Sequence, residues 1–443
     1  MKRKVNKKVM KKIGIISLGC SKNLVDSEMI LGLFKNRNDI CFVSKINECD
    51  LIIINTCGFI ESSKKEALDT IFECINTKKS SAKILVAGCL TQRYKKELEE
   101  SIPEVDYFMG INEYERAGEI ISSLLDVEAL NDKGLNPVSK YSLTPNHYAY
   151  IKIAEGCKNN CSYCAIPLIR GTLVSKNKEV IIEEVNLAIA EGKEEIILIA
   201  QDTTGYGHDK NDNYYLEDLL KDILKTEVKQ IRMLYLYPDE ITDSLIDLVA
   251  NNPRIVPYFD IPLQHINNDL LKDMNRRGTK EDIIEVITKI RKKLKDSIIR
   301  TTFIVGYPSE TEEQFKELCN FIKEYPFDRM GAFTYSKEEN TKAYDFKNQV
   351  DENIKERRLK ELMDIQKEIS LKLNKEKVGC IYEVRVEIYN PLSKIYRGRS
   401  YMSAPDNVDG YVYFTSDTKL NVGDLVKVKI IDAEIYDLKG VKI

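Results

Sequence analysis

The sequence lacks a charge excess of either sign. Its 443 residues carry 67 Lys and Arg against 70 Asp and Glu, a formal net charge of −3. This excludes an overall basic field that would draw in nucleic acid without regard to sequence. Long apolar runs are also missing. No stretch approaches the roughly 20 residues that cross a bilayer, so no membrane partner is expected. The Lys- and Arg-rich start, Met1 to Lys12, reads as a solvated tail. The apolar stretch behind it, Ile13 to Leu18, is too short for a signal peptide and runs into Gly19-Cys20. A disulfide framework is absent as well. Eleven cysteines, three of them in one tight triplet, point to metal in a reducing compartment, and a cytoplasmic location is expected. What is present suffices for several cores: 43% of residues are hydrophobic, and the length fits about three domains.

The triplet is Cys157, Cys161 and Cys164, spaced C-x3-C-x2-C with Tyr163 before the last cysteine. Three thiolates this close can hold three irons of a four-iron cluster. The fourth iron is then without a protein ligand and open to chemistry, much as a catalytic metal keeps one position free. Structural zinc is a poorer fit, because it needs four ligands. A core strand is poorer still, because Gly156, Lys158, Asn159, Asn160 and Ser162 surround the thiols.

Upstream, strands are predicted at Ile13–Leu18, Leu51–Asn55 and Lys83–Ala87, each a continuous apolar run suited to a parallel sheet buried on both faces. Helices are predicted at Val25–Phe34, Ser62–Asn76 and Thr91–Glu100. Each strand runs into a cysteine: Cys20, Cys57 and Cys89. Parallel strands share their carboxyl edge, where ligands bind, so these three cysteines are expected to meet and form a second thiolate site. The alternative is three ordinary strand-end cysteines. Gly19, Gly58 and Gly88 beside them would let backbone pass close to a bulky group.

Residues 128–146 read as a linker, with Pro137 and Pro145 and no clear period in Asn131 to Pro145. Six strands follow, at Ala149–Ala154, Glu195–Ala200, Ile231–Tyr237, Val256–Ile261, Arg300–Val305 and Arg329–Thr334. Helices separate them, including Val180–Glu191, capped by Gly192, and Lys280–Leu294. This predicts a partial barrel of six βα units with its site at the carboxyl ends of the strands. The triplet follows the first strand. Gln201-Asp202, Gln264-His265 and Gly306 end others. A charged helix over Glu352 to Lys377 is expected to pack through Leu359, Leu362, Met363, Ile369 and Leu373, with Gln366 interrupting that stripe. Strands at Tyr382–Ile388, Tyr411–Thr415 and Leu425–Ile431 then predict a small β-barrel that binds nucleic acid or protein. From Lys375 onward there are eleven Lys and Arg and ten Asp and Glu, little for an RNA-binding module. The fold class is thus α/β: an N-terminal parallel α/β domain over 12–127, a partial (β/α)6 barrel over 147–374 and a small β-barrel over 375–443.

The triplet with its aromatic resembles the radical S-adenosylmethionine (SAM) superfamily. The three-part layout is similar to the methylthiotransferases, whose last domain is a TRAM barrel, and the likeness covers nearly the whole chain. Ser17-Leu18-Gly19-Cys20-Ser21-Lys22-Asn23-Leu24-Val25-Asp26-Ser27-Glu28, Asn55-Thr56-Cys57-Gly58-Phe59-Ile60 and Ala200-Gln201-Asp202-Thr203-Thr204 resemble the branch that modifies a ribosomal protein rather than the tRNA branch. So do Phe259-Asp260-Ile261-Pro262-Leu263-Gln264-His265 and Gly398-Arg399-Ser400-Tyr401. The resemblance implies two [4Fe-4S] clusters. One, on Cys157, Cys161 and Cys164, binds SAM and splits it to a 5′-deoxyadenosyl radical. The other, on Cys20, Cys57 and Cys89, carries sulfur, and a second SAM supplies the methyl group. The implied product is a methylthio group on the β-carbon of an aspartate in small-subunit ribosomal protein S-twelve. A reductant such as flavodoxin or ferredoxin is implied as a partner. Tyr163 is implied near the adenine, with Gln201, Gln264 and Gly306 as further SAM contacts. Tyr307, Ser309 and Ser403 depart from the usual Phe, Gly and Asp. Cys41, Cys49, Cys74, Cys319 and Cys380 match no motif and are expected to be structural. Two other functions stay open: methylthio transfer to an adenosine of tRNA, and a non-enzymatic iron–sulfur or zinc protein that binds RNA or ribosomes.

Overall fold

The computed structural model describes residues 10–130, 134–405 and 409–443. Most of the expected solvated tail, and residues 131–133 of the expected linker, lie outside the described residues. The chain forms two compact units: Met1–Thr144, Tyr150–Cys157 and Ala165–Leu187 in one, Pro145–Ala149, Lys158–Cys164 and Ala188–Ile443 in the other.

The first unit opens with β1 (Lys11–Ser17), α1 (Ser21–Gly32), β2 (Ile40–Phe42), β3 (Leu51–Thr56), α2 (Glu61–Thr77), β4 (Lys83–Gly88), α3 (Cys89–Ser101), β5 (Tyr107–Met109) and α4 (Ala117–Leu125). All five strands are parallel, in the order β2-β1-β3-β4-β5. The apolar runs of β3 and β4 are buried on both faces. Ile13, Leu51, Ile53, Leu85 and Ile121 pack in one layer, and Ile52, Ile54, Ala67, Ile71 and Val86 in the other. Each such Ile, Leu or Val side chain contributes about 1.5–3 kcal/mol by leaving water. The three predicted strands and helices are present. The edge strands β2 and β5 went unpredicted, because three residues carry no period.

β6 (Tyr148–Lys152), β7 (Ala154–Glu155), α5 (Ile166–Arg170), β8 (Val174–Ser175) and α6 (Lys178–Ala190) follow. The predicted strand Ala149–Ala154 is thus split, and β7 pairs antiparallel with β8. Gly192 caps α6 as expected, at φ +87°.

The second unit continues with β9 (Glu195–Ile199), α7 (Leu216–Ile223), β10 (Gln230–Met233), α8 (Asp243–Asn251), β11 (Tyr258–Asp260), α9 (Asn268–Asp273), α10 (Lys280–Lys293), β12 (Ile298–Val305), α11 (Glu312–Glu324) and β13 (Arg329–Thr334). β9 pairs in parallel with β10, and β11, β12 and β13 pair in parallel in that order. A parallel bridge between Ile231 and Ile255 joins the two groups. Two strands are shorter than predicted. Tyr235 lies at φ +63° and its N–H goes to the Asp260 carboxylate, which ends β10 early. Pro257 has no N–H for the ladder, so β11 begins at Tyr258.

Helix α12 (Glu352–Lys375) corrects the predicted apolar stripe. Of the five named residues only Leu362 is buried. The inward face is Lys355, Arg358, Leu362, Gln366, Ser370 and Asn374. Gln366, read as an interruption, is fully buried, and its amide donates to Phe327 O at 3.0 Å and Ser370 Oγ at 3.0 Å. The helix packs through polar groups whose amide donors are used, while Gln366 Oε1, Asn374 Oδ1 and Arg358 Nε are buried without a partner among the described residues, and hydropathy spacing registers none of this.

β14 (Ile381–Asn390), β15 (Ile395–Arg399), β16 (Val412–Thr415), β17 (Leu425–Ala433) and β18 (Leu438–Lys442) close a barrel in the order β14-β15-β16-β18-β17. Closure leaves no free edge. Val384, Val386, Phe414, Val428 and Ile430 are buried. A buried carboxylate anchors this barrel within the unit. Glu195 receives Arg232 Nε at 2.7 Å and Arg399 Nη2 at 2.6 Å. Ser403, the departure in the barrel, is buried and donates to Gly410 O at 2.6 Å. A nearby carboxylate is supplied instead by Asp409, which accepts from Ala404 N–H and from the Tyr258 hydroxyl. Among the described residues no helix is long and apolar enough to cross a membrane.

Candidate metal centre

The sheet of the first unit brings Cys20, Cys57 and Cys89 to its carboxyl edge. Cys20 is the N-cap of α1, Cys57 follows β3, and Cys89 is the first residue of α3. A β-carbon placed on Gly19 would sit 2.7 Å from Cys57 Cβ, and one on Gly58 would meet the Cys89 carbonyl carbon at 3.0 Å and Leu90 Cα at 2.6 Å. These glycines let the three turns touch one another, rather than leaving room for a bulky group. Cys20 is exposed, and Cys57 and Cys89 are buried. Burial pushes the Cys89 thiol up to about 11, and the Cys57 thiol rises for the same reason. Such thiols ionise when a cation takes the proton's place. Helix N-termini at Cys20 and Cys89 add partial positive charge on the same side. Three thiols in this setting fit an iron–sulfur group. Among the described residues, no three His, Cys, Asp or Glu side chains are arranged to hold a metal ion. Zinc thiolates converge at about 2.3 Å on one centre, whereas thiolates that cap separate irons do not share one.

Arg170, at the end of α5, reaches this edge. Its Nη2 lies 3.4 Å from Cys89 Sγ, 2.7 Å from Asn23 Oδ1 and 2.9 Å from Asp26 Oδ2, and its Nη1 donates to both Glu155 oxygens. Lys152 Nζ completes the cluster, 2.5 Å from both Asp26 Oδ1 and Glu155 Oε2. Burial opposes the Glu155 carboxylate, but Lys152 and Arg170 outweigh it and hold its pKa below the usual range. Asn23 Nδ2 donates to Leu18 O and Thr56 O, which fixes its own oxygen toward Arg170. Ala165 and Ile169 pack on Cys89. Sequence reading missed this network, since its partners are up to 147 residues apart.

Cys157, Cys161 and Cys164 are each half-buried. Cys157 N–H donates to Gly171 O at 3.2 Å, and Cys164 N–H to Cys161 O at 3.0 Å. Side chains between them are tied down within the second unit. Asn159 donates to Asp202 Oδ2 at 2.6 Å, and Lys158 pairs with Glu240 at 2.7 Å. Burial, and after it the Glu240 carboxylate, raises the Asp202 pKa.

The remaining expected contacts line strand ends of the second unit. Tyr163 receives Arg276 Nη1 at 3.2 Å and packs with Tyr307 and Met274. Arg276 also lies over the Tyr237 ring, 4.3 Å from its centroid. Gln201 lies two residues beyond the end of β9 and is half-buried. Gln264, at φ +69°, accepts from Ile304 N–H and donates its own N–H to Thr302 O. Gly306, at φ +71°, donates to Glu310 Oε2 at 2.5 Å, and that carboxylate also receives Arg358 at 2.6 Å and faces His265 Nε2 at 3.2 Å. Of the two departures here, Tyr307 is fully buried with its hydroxyl on Asp273 O, and Ser309 holds φ +70°, a conformation that suits glycine. None of the eleven cysteines forms a disulfide. Cys49, Cys74 and Cys319 are buried as core residues, Cys41 is half-buried, and Cys380 is exposed, which does not fit a packing role.

Residues 12–110 match the Uncharacterized protein family UPF0004, residues 151–322 the Radical SAM superfamily and residues 378–443 the TRAM domain. The chain is 47% identical to the ribosomal protein uS12 methylthiotransferase RimO of Thermoanaerobacter sp., over 97% of this chain and 100% of that one. Identity to the protein of the same name from Alkaliphilus oremlandii is 47%, over 97% and 98%. The fold is similar to that of TsrM, a radical S-adenosylmethionine methyltransferase from Kitasatospora setae. There the TM-score is 0.56 at 12% identity, covering 85% of this chain and 81% of that one. OxsB, a cobalamin-dependent S-adenosylmethionine radical enzyme, gives a TM-score of 0.51 at 14% identity, covering 81% and 56%. With the sequence relatives matching nearly end to end, the chain belongs to the RimO family of ribosomal protein uS12 methylthiotransferases, within the radical SAM superfamily.

Proposed function

We propose that this methylthiotransferase sets a methylthio group on the β-carbon of an aspartate of ribosomal protein uS12, using two [4Fe-4S] clusters and SAM. Cys157, Cys161 and Cys164 hold the cluster that binds SAM, and Cys20, Cys57 and Cys89 hold the one that carries sulfur. When bound, these groups supply a one-electron cleavage of SAM, hydrogen removal from an unactivated carbon, and the sulfur itself. The chain's residues position them. Asp202 and Glu240 hold Asn159 and Lys158 of the triplet loop. Tyr163, Gln201, Gln264 and Gly306 face SAM. The work divides between residues 12–127, 147–374 and 375–443, joined by the linker 128–146. Electrons come from a small reductant such as flavodoxin or ferredoxin, in the cytoplasm.

One observation carries the reading. Three cysteines from separate βα units share one sheet edge, and the helix that begins just past the triplet ends on one of them. A substrate in tRNA fits less well. The barrel's charges nearly cancel, and Arg385 and Arg399 are bound to Glu194 and Glu195 rather than offered to phosphate. Mass spectrometry of uS12 and of tRNA from cells lacking the gene tests the choice. Loss of the methylthio mark from uS12 with tRNA unchanged is expected, and the reverse would contradict it.

A further inference from the structure

We infer that Arg170 is a positioning residue for the sulfur-carrying site: its guanidinium holds the Cys89 sulfur and raises the electron affinity of the iron–sulfur group there. The inference rests on the proposal that Cys20, Cys57 and Cys89 hold a cluster of their own.

Burying an arginine is expensive unless its donors are used. Here Nη1 is satisfied by Glu155 alone, while Nη2 has three acceptors: Asn23 Oδ1, Asp26 Oδ2 and Cys89 Sγ. Two of these already match its two hydrogens. The third is a sulfur, which as a neutral thiol donates to Asn23 Oδ1 at 3.5 Å and is only a weak acceptor. As a ligating thiolate it accepts a charge-assisted bond, so the arrangement suits the ligated form. The charges say the same. Lys152 and Arg170 balance Asp26 and Glu155, so the cluster is neutral before any sulfur ionises. An ionic group built only for packing would need nothing more. Two other buried arginines, Arg232 and Arg399 on Glu195, donate to carboxylate and carbonyl oxygens instead. Asn23 keeps Arg170 in place, because both its amide hydrogens are held by Leu18 O and Thr56 O. Hydrogen bonds and positive charge at a ligating sulfur favour the reduced, more negative cluster.

The test is an EPR-monitored redox titration of anaerobically reconstituted holoenzyme, with iron counted in each sample. It compares wild type, Arg170→Gln, Arg170→Lys and the double variant Arg170→Gln/Asp26→Asn, which keeps the buried charges balanced where the single change unfolds the chain. Cys57→Ala identifies which of two midpoints belongs to the strand-end cysteines. With iron content unchanged, that midpoint should move to more negative potential in the Gln variants and stay near wild type in Arg170→Lys, while the triplet's midpoint stays put. Two clusters with both midpoints unmoved, or both moved alike, would overturn the role of Arg170 and leave the second cluster standing. A wild-type protein that binds only one cluster would overturn both.

Discussion

Cys157, Cys161 and Cys164 lie within eight residues on a half-buried loop, whereas Cys20, Cys57 and Cys89 come from three βα units and two of them are buried. The loop is held by side chains between its cysteines, through Asn159 on Asp202 and Lys158 on Glu240. The strand-end trio is held by the sheet itself and backed by three buried charges, Asp26, Lys152 and Arg170, with Glu155 half-buried beside them. A site that must admit SAM and an electron suits an accessible loop. A site that must keep sulfur from water suits a buried edge. On the proposed function the two constructions serve two tasks, and the contrast can be broken at several points.

The largest effects concern the cysteines. Cys161→Ala should reduce 5′-deoxyadenosine formation from SAM and dithionite to background, as read by chromatography. Cys57→Ala should leave that cleavage near wild type while abolishing methylthio transfer to uS12. Equal loss of both in Cys57→Ala would merge the two sites into one.

Stability should divide the same way. Asp26→Ala leaves Lys152 and Arg170 short of a buried partner and should cost about 3–5 kcal/mol in urea unfolding of the apo-protein. Asp202→Ala strips acceptors from Asn159, Thr204 and Gly205 and should cost less, about 1–3 kcal/mol. Acid should separate them by sign. Glu155 has a lowered pKa, so its stabilisation is complete above the ordinary carboxyl range and is lost as pH falls below about 4.5. Asp202 has a raised pKa, so the folded form takes up its proton first and this contribution grows as pH falls through that raised value. Replacing Glu155 with Gln should flatten the acid limb, and replacing Asp202 with Asn should steepen it. The smallest effect is Ser309→Gly, which relieves a positive φ and should raise stability by about 0.5–1 kcal/mol.

The sequence made the triplet legible because its ligands are local, and the strand-end trio legible because βα units repeat. Most strands of the second unit were legible as apolar runs, apart from the ends set by Tyr235 and Pro257, but the split of Ala149–Ala154 and the barrel strands β15 and β18 were not. Arg170, Asp26, Lys152 and Glu155 were not legible. Charged residues are expected outside, and only the fold shows that these four neutralise one another. The buried polar face of α12 escaped for the same reason, since the amide N–H groups of Gln366 and Asn374 donate to carbonyls far along the chain. Ser309 marked a departure in the motif, and the backbone angle explains what a glycine there would relieve.

Counting iron tests the central claim most directly. Anaerobic reconstitution should load about eight irons per wild-type chain and about four in Cys57→Ala, with the remaining cluster still cleaving SAM. About four irons in the wild type, or none in Cys57→Ala, would contradict two separate clusters.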